Sequence, residues 1–349
     1  MSNVSVAAKL NVKQLIEKTL GVLSERNGAI LASRHGVGGS GGKQTLESIG
    51  QGYGITRERV RQIEEASYYK IRKSAEFEML KPALAEISNF IEKQGGTVSE
   101  TNLMNSLVTE SNRPHLALML ALSEDLVYMK EGDVHKAGWS VSKSRAEKTK
   151  KVLANIENKL EKLGEPVSED AVIGLVYEAN TESLPISEEN VFSFLNVSRN
   201  LKKGPFEKWG LSYWPQISPR GVRDKVYLVL SQAGEPLHFR KLAELIDKAE
   251  FGGQGKKTHP QTVHNELIKD ERFVLIGRGI YALSDWGYVP GTVKDVIISV
   301  LEGEGAPVER DIIVEKVLNQ RKVQKNTILL NLQNKKHFKR AEGSRFHLA

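Results

Sequence analysis

Residues 45–64 read Thr45-Leu-Glu-Ser-Ile-Gly-Gln-Gly-Tyr-Gly-Ile-Thr-Arg-Glu-Arg-Val-Arg-Gln-Ile-Glu64. Leu46 and Ile49 mark the inward face of one short helix, and Gly54 supplies the tight turn that ends it. Thr56 stands where it caps a second short helix, with Arg59 at the capping-box position that usually carries Glu. Val60 and Ile63 form the buried stripe of that helix, which leaves Arg57, Glu58, Arg61 and Gln62 on its exposed side. Two short helices about a Gly-containing turn make a helix-turn-helix, whose second helix enters the major groove of DNA. The exposed side chains have the chemistry to read bases there. Arg offers a fork of donors to guanine or phosphate, Gln pairs bidentately with adenine, and Glu accepts from cytosine. Thr56, Arg57, Glu58, Arg59, Arg61 and Gln62 are therefore the candidate DNA-binding set. The same pattern also suits a solvated, charged helix face, and the residues alone leave both readings open.

The surrounding chain narrows the class. With 349 residues it is too long for one compact core, and a 40% apolar fraction is enough to build several. Zero cysteine excludes disulfides, cysteine-ligated metals and thiol nucleophiles, and fits a reducing cytoplasm. No apolar run approaches the roughly 18–20 residues that span a bilayer, and Met1 to Val12 lacks the apolar stretch of a signal peptide. Residues 1–78 hold 12 basic and 8 acidic side chains, residues 79–217 hold 16 and 19, and residues 218–349 hold 22 and 16. Basic ends about a near-neutral middle suit two contact regions for a polyanion; ordinary solvated surface is the alternative.

Beyond residue 78 an internal repeat organises the sequence. Gly95-Gly-Thr-Val98, Gly164-Glu-Pro-Val167, Gly234-Glu-Pro-Leu237 and Gly305-Ala-Pro-Val308 recur with their first glycines 69, 70 and 71 residues apart. Each follows a helical stripe, such as Val152, Ile156, Leu160 and Leu163, and each is followed by an inward residue eight positions on: Leu103, Val172, Leu242 and Ile313. A third helix comes next, clearest at Thr262–Ile268 and Thr327–Leu332, and alternating residues about a Gly then predict a hairpin. Trp139, Tyr213 with Trp214, Tyr281 and Phe346 are expected in the hairpin cores. Helix, strand, helix, helix and hairpin describe a winged helix. The fold class is mainly α, a helix-turn-helix over residues 1–78 followed by four tandem winged-helix modules at 79–143, 144–218, 219–288 and 289–349. In the last module Gln324, Lys325, Asn326 and Thr327 open the third helix, and Lys335, Lys336, Lys339, Arg340 and Arg345 follow on its end and on the hairpin. Gripping DNA phosphates is one use for that surface, and solubilising an edge strand is the other.

Thr45–Gly50 with Ile55–Glu64 resembles region 4 of the sigma-70 family, and the likeness reaches back through Leu23–Leu31. It implies that α-helical readers Arg57, Glu58, Arg61 and Gln62 meet an upstream promoter element, and that the domain docks on the β-subunit flap of core RNA polymerase, largely through its first helices. Ala66 and Tyr69 stand where sigma factors usually carry basic residues. The 22 residues ahead of Leu23 are too few for the promoter-melting region, so a complete sigma factor is not expected. Gly234–Ala243 and Arg278–Trp286 resemble the HARE winged-helix family, which includes the N-terminal domain of the RNA polymerase delta subunit.

Other chemistries find no support. Gly36-x-Gly38-x-x-Gly41 fits a dinucleotide fingerprint, but it follows a helix, and Val37 and Gln44 break a P-loop. His259 and His264 lack metal-ligand spacing and are expected at the surface or on nucleic acid. No enzymatic activity, cofactor, metal, membrane or small-molecule substrate is expected. The implied function is a cytoplasmic, nucleoid-associated transcription regulator that reads double-stranded DNA. A polymerase-associated scaffold or sigma competitor is the alternative, and a DNA-processing or defence accessory factor the remote one.

Overall fold

The computed structural model describes residues 11–38, 42–249, 251 and 257–349. Gly41 of the fingerprint-like loop lies outside them. The chain divides into two compact units, Met1–Lys203 with Trp209–Ser212, and Gly204–Lys208 with Tyr213–Ala349.

The first unit opens with helices α1 (Val12–Leu20), α2 (Glu25–His35), α3 (Leu46–Tyr53), α4 (Arg57–Arg72) and α5 (Ala75–Glu78). Four of these starts are set locally: Asn11, Ser24, Thr45 and Thr56 accept from the backbone N–H three residues on. The second helix of the helix-turn-helix, α4, has 16 residues, longer than the short helix expected, because Val60, Ser67 and Ile71 keep one face buried to its end.

There follow α6 (Lys81–Lys93), β1 (Thr97–Ser99), α7 (Glu100–Leu107), α8 (Arg113–Leu122), β2 (Val127–Met129) and β3 (Gly138–Ser140). The strands form one antiparallel sheet in the order β1-β3-β2. Helix α8 buries His115, Leu116, Leu118, Met119, Leu120 and Leu122, and a helix apolar nearly all round must be covered on all sides. It packs on α1, α2 and α4. One continuous core thus joins Val12, Ile16, Leu31 and Ile71 to Ile87, Leu103, Leu116 and Trp139, straight across residue 78. Arg72 fastens the seam, donating through Nε and Nη2 to the Leu122 and Ala121 carbonyls at 3.0 and 3.1 Å.

The unit ends with α9 (Lys143–Leu163), α10 (Glu169–Ala179), α11 (Val191–Leu195), β4 (Leu201–Lys203) and β5 (Trp209–Leu211). A single bridge from Val167 to Trp209 stands where the first repeat has a strand. Two residues assigned to this core lie outside it. Leu163 is 52% exposed, since it is the last residue before Gly164 turns the chain, and Tyr213 is 54% exposed, beyond the end of β5. Trp209 fills the position instead, stacked on Phe192 with ring centroids 5.6 Å apart.

The second unit repeats the element order twice. The first set is α12 (Val222–Ala233), β6 (Leu237–His238), α13 (Phe239–Lys248), α14 (Pro260–Lys269), β7 (Phe273–Gly277) and β8 (Ile280–Leu283). The second is α15 (Val293–Glu304), β9 (Val308–Glu309), α16 (Arg310–Gln320), α17 (Lys325–Leu332), β10 (Phe338–Arg340) and β11 (Arg345–Leu348). Their sheets run β6-β8-β7 and β10-β11-β9. Buried Tyr281 meets His264 Nδ1 at 3.1 Å, and His259 caps α14, so both histidines have structural roles. A buried arginine joins the two sets: Arg321, 3% exposed, donates to the carbonyls of Leu275, Val289 and Gly291 at 2.6, 2.6 and 2.7 Å. Beside it the Lys322 amide donates to the Ile276 carbonyl at 2.8 Å.

Candidate nucleic-acid interface

The presentation of α4 depends on how tightly α3 meets the turn. A Cβ on Gly50 would lie 2.7 Å from the Ile55 carbonyl oxygen, a separation no side chain tolerates, and Gly54 takes φ 64° to end α3. Behind the turn, Ile30, Ile49 and Val60 form a small core of their own, flanked by Leu46, Ile55 and Ile63. Thr56 Oγ1 accepts from the Arg59 amide at 3.1 Å, which fixes the first turn of α4.

Thr56, Arg57, Glu58, Arg59, Arg61 and Gln62 are all exposed there, so the structure brings the whole N-terminal candidate set onto one helix start. Their partners differ. Arg61 lies on Glu58, Nη2 to Oε1 at 2.7 Å and Nε to Oε2 at 3.0 Å, and also reaches Glu65. The Glu58 carboxyl is held below its ordinary range, first by the hydrogen bond from Arg61. Arg59 donates to Gln62 Oε1 at 3.1 Å, and the Gln62 side chain also interacts with the Glu58 carboxylate. Arg57 makes neither a side-chain hydrogen bond nor an ion pair among the described residues. Both partners of the Arg61–Glu58 pair are exposed, where solvent screens the contact and leaves it weakly held. Sequence reading passed over Arg26, whose guanidinium sits over the Tyr53 ring, 5.9 Å from its centroid, beside the turn. An aromatic at the end of α3 was the one available signal.

A part-buried network holds α2 against α4. Tyr68 donates to Glu64 at 3.0 Å, and its oxygen accepts from His35 Nε2 at 2.7 Å. Arg34 pairs with the same Glu64 at 3.4 Å and donates to the Gln44 carbonyl at 3.0 Å. Burial, then the charges of Lys43 and Arg34, lower the His35 pKa from 6.5 to about 4. His115 is shifted the same way, chiefly by burial. A depressed folded pKa means that the unfolded chain takes a proton which the fold refuses. Stability is therefore whole above pH 6.5 and is lost as pH falls toward about 4. For His35 the expected loss is on the order of 1–3 kcal/mol. Denaturant midpoints should fall between pH 7 and pH 5, and His35→Gln should flatten that slope; equal slopes would free His35 of the role.

The C-terminal candidates also share one region. Gln324 caps α17 by backbone alone, Lys325, Asn326 and Thr327 form its first turn, Lys335 and Lys336 follow it, and Lys339 and Arg340 lie on β10, all of them exposed. Among the described residues no group of three or more His, Cys, Asp or Glu could hold a metal ion, and no helix is long and apolar enough to cross a membrane.

Comparison with known proteins bears on the first of these surfaces. Residues 19–73 match the family "Sigma-70, region 4". RNA polymerase sigma factor SigA of a Bacillus species is 38% identical over 73 residues, which cover 21% of this chain and 19% of that protein. RNA polymerase sigma factor RpoD, from each of two strains of Helicobacter pylori, is 38% identical over 72 residues, 21% of this chain and 11% of that protein. The chain thus spans a fifth or less of the length of these curated relatives. The matched segment begins at the end of α1, contains the whole of α2, α3 and α4, and gives residues 19–73 the character of a sigma-70 region 4 helix-turn-helix.

Proposed function

We propose that this chain is a DNA-binding transcription regulator that reads promoter-like duplex with the start of α4 and works in association with RNA polymerase. One observation carries the reading: Arg57, Glu58, Arg61 and Gln62 project together, exposed, from α4, the last helix of the segment that matches sigma-70 region 4. The protein acts by binding rather than by catalysis. The repeats after residue 78 serve as winged-helix modules, the third of HARE type, that carry or extend the reading head; their recurrent order of helix, strand, helix, helix and hairpin supports this.

The polymerase contact takes a particular form in this reading. The apolar faces of α1 and α2 are covered by α8, so a flap-like partner meets the exposed edge of α1, with Lys13, Gln14, Glu17 and Lys18, rather than the groove behind it. A scaffold or sigma competitor would use that same edge.

Binding selection from a randomised duplex pool tests the reader. Arg57→Ala is expected to cost about 1–3 kcal/mol on the preferred site, roughly 5- to 150-fold in affinity. Glu58→Gln is expected to relax base preference with a smaller loss, since a carboxylate near phosphates adds little affinity. Affinity of the wild type should fall steeply with salt. Unchanged affinity and unchanged selected sequences in the Arg57→Ala/Arg61→Ala double variant would remove α4 as the reader.

A further inference from the structure

The last repeat concentrates charge in a way the rest of the chain does not. Residues 321–349 contain eight Lys and Arg and one acid, Glu342, a surplus equal to the +7 of the whole protein. Many lysines elsewhere are neutralised by close neighbours: Lys81 by Glu78 at 2.6 Å, Lys150 by Glu147 at 2.8 Å, Lys241 by Glu244 at 3.2 Å. Here Lys322, Lys335, Lys336 and Lys339 are exposed and, among the described residues, have no side-chain hydrogen bond or ion pair. Lys325, by contrast, faces Asp311 at 3.4 Å.

The helix between these lysines is also unusual in what it shows to solvent. Ile328 and Leu332 turn α17 inward, while Asn326, Thr327, Leu330 and, at its end, Gln333 are exposed at spacings of three and four. Amides and a hydroxyl around one aliphatic side chain can pair with adenine edges and touch a thymine methyl. Eight residues make a helix of about 12 Å, which fits across a major groove.

Edge protection explains only part of this. β10 is an edge strand, and Lys339 on it would deter pairing with another chain. Lys322 lies in a single bridge to Gly277 on the edge strand β7, but Lys335 and Lys336 precede β10, where there is no edge to protect. A lipid surface would require apolar side chains able to insert, and the exposed side of α17 offers Leu330 alone.

We propose that α17 and the lysines around it form a second surface for duplex DNA, with Lys322, Lys335, Lys336 and Lys339 on phosphates and Asn326 and Thr327 toward base edges. The proposal rests on the reading of this chain as a binder of duplex DNA, but it shares no residue with α4.

The test uses the full chain, with anisotropy titrations of a random-sequence duplex at several salt concentrations. Each phosphate contact contributes about 0.9 to the slope of log K against log salt. Replacing Lys322, Lys335, Lys336 and Lys339 together by Gln is expected to lower the slope by roughly 2–4 and to weaken binding alike on all sequences. Asn326→Ala with Thr327→Ala should leave the slope and shift the selected sequences away from A·T pairs. An unchanged slope in the lysine variant, with binding still lost in Arg57→Ala/Arg61→Ala, overturns this surface and leaves the α4 reading standing. Loss in neither variant overturns both. A lysine variant that keeps its DNA slope but no longer binds phosphatidylserine vesicles would reassign the surface to lipid. Matching circular dichroism melts show that the substituted proteins are folded.

Discussion

A fragment ending at residue 78 is expected to show no cooperative thermal transition, whereas a fragment ending at residue 212 should unfold in one. The helix-turn-helix invites treatment as a free-standing domain, but its inner faces are completed by α8. Val12, Ile16, Leu31, Ile71 and Phe77 are each at most 7% exposed, and all belong to the core that continues to Trp139. Burying such a side chain contributes about 1.5–3 kcal/mol. Uncovering five of them forfeits roughly 7–15 kcal/mol, as much as the whole stability of an ordinary domain. What remains, Ile30, Ile49 and Val60 with their flanking residues, is too small a cluster to hold five helices. Circular dichroism melts and amide proton spectra of the two fragments provide the check. A dispersed spectrum and a sharp melt from residues 1–78 would contradict the shared core.

The second large effect belongs to Arg321. Arg321→Ala leaves three carbonyl oxygens, those of Leu275, Val289 and Gly291, without their donor in a site only 3% exposed. Each buried acceptor left unmade costs about 1–3 kcal/mol, so a total on the order of 3–5 kcal/mol is expected. Lysine will not restore it, since one ammonium cannot reproduce the planar fork that spans three oxygens. Hydrogen exchange reads the outcome locally. The Lys322 amide, bonded to Ile276, should lose protection in Arg321→Ala, while the Leu275–Tyr281 pairing inside the hairpin persists. Retained protection of Lys322 would show that the parallel bridge between Gly277 and Lys322 stands without the arginine.

Much of the helix-turn-helix was legible because its determinants are local. The Thr45 and Thr56 caps, the Gly54 turn and the Leu46, Ile49, Val60 and Ile63 stripes each lie within four residues of what they control. The repeated glycines were readable for the same reason: Gly164, Gly234 and Gly305 end α9, α12 and α15 with φ of 72°, 68° and 63°. What escaped is long-range. The length of α4 depends on a partner, Leu122, 50 residues further on, and His35 meets Tyr68 across 33 residues. Arg321 follows a helix end among polar neighbours, where an arginine is ordinarily exposed, and nothing nearby in sequence marks it as buried. The misplaced Tyr213 was a matter of register, for period two in Trp209-Gly-Leu211 already sets Trp209 and Leu211 on one face and ends before Tyr213.

Arg61 and Arg57 are one turn apart and differ in one respect, the carboxylates of Glu58 and Glu65 that already occupy Arg61. A phosphate brushing past finds Arg57 open but must displace an internal anion to engage Arg61. Under the proposed reading of duplex by α4, that exchange would return little on unrelated sequence, and only a site that also satisfies the freed carboxylates would hold Arg61 for long. If α4 reads duplex as proposed, the two acids beside Arg61 would shorten dwell on wrong sequence, a kinetic gain obtained by giving up raw attraction.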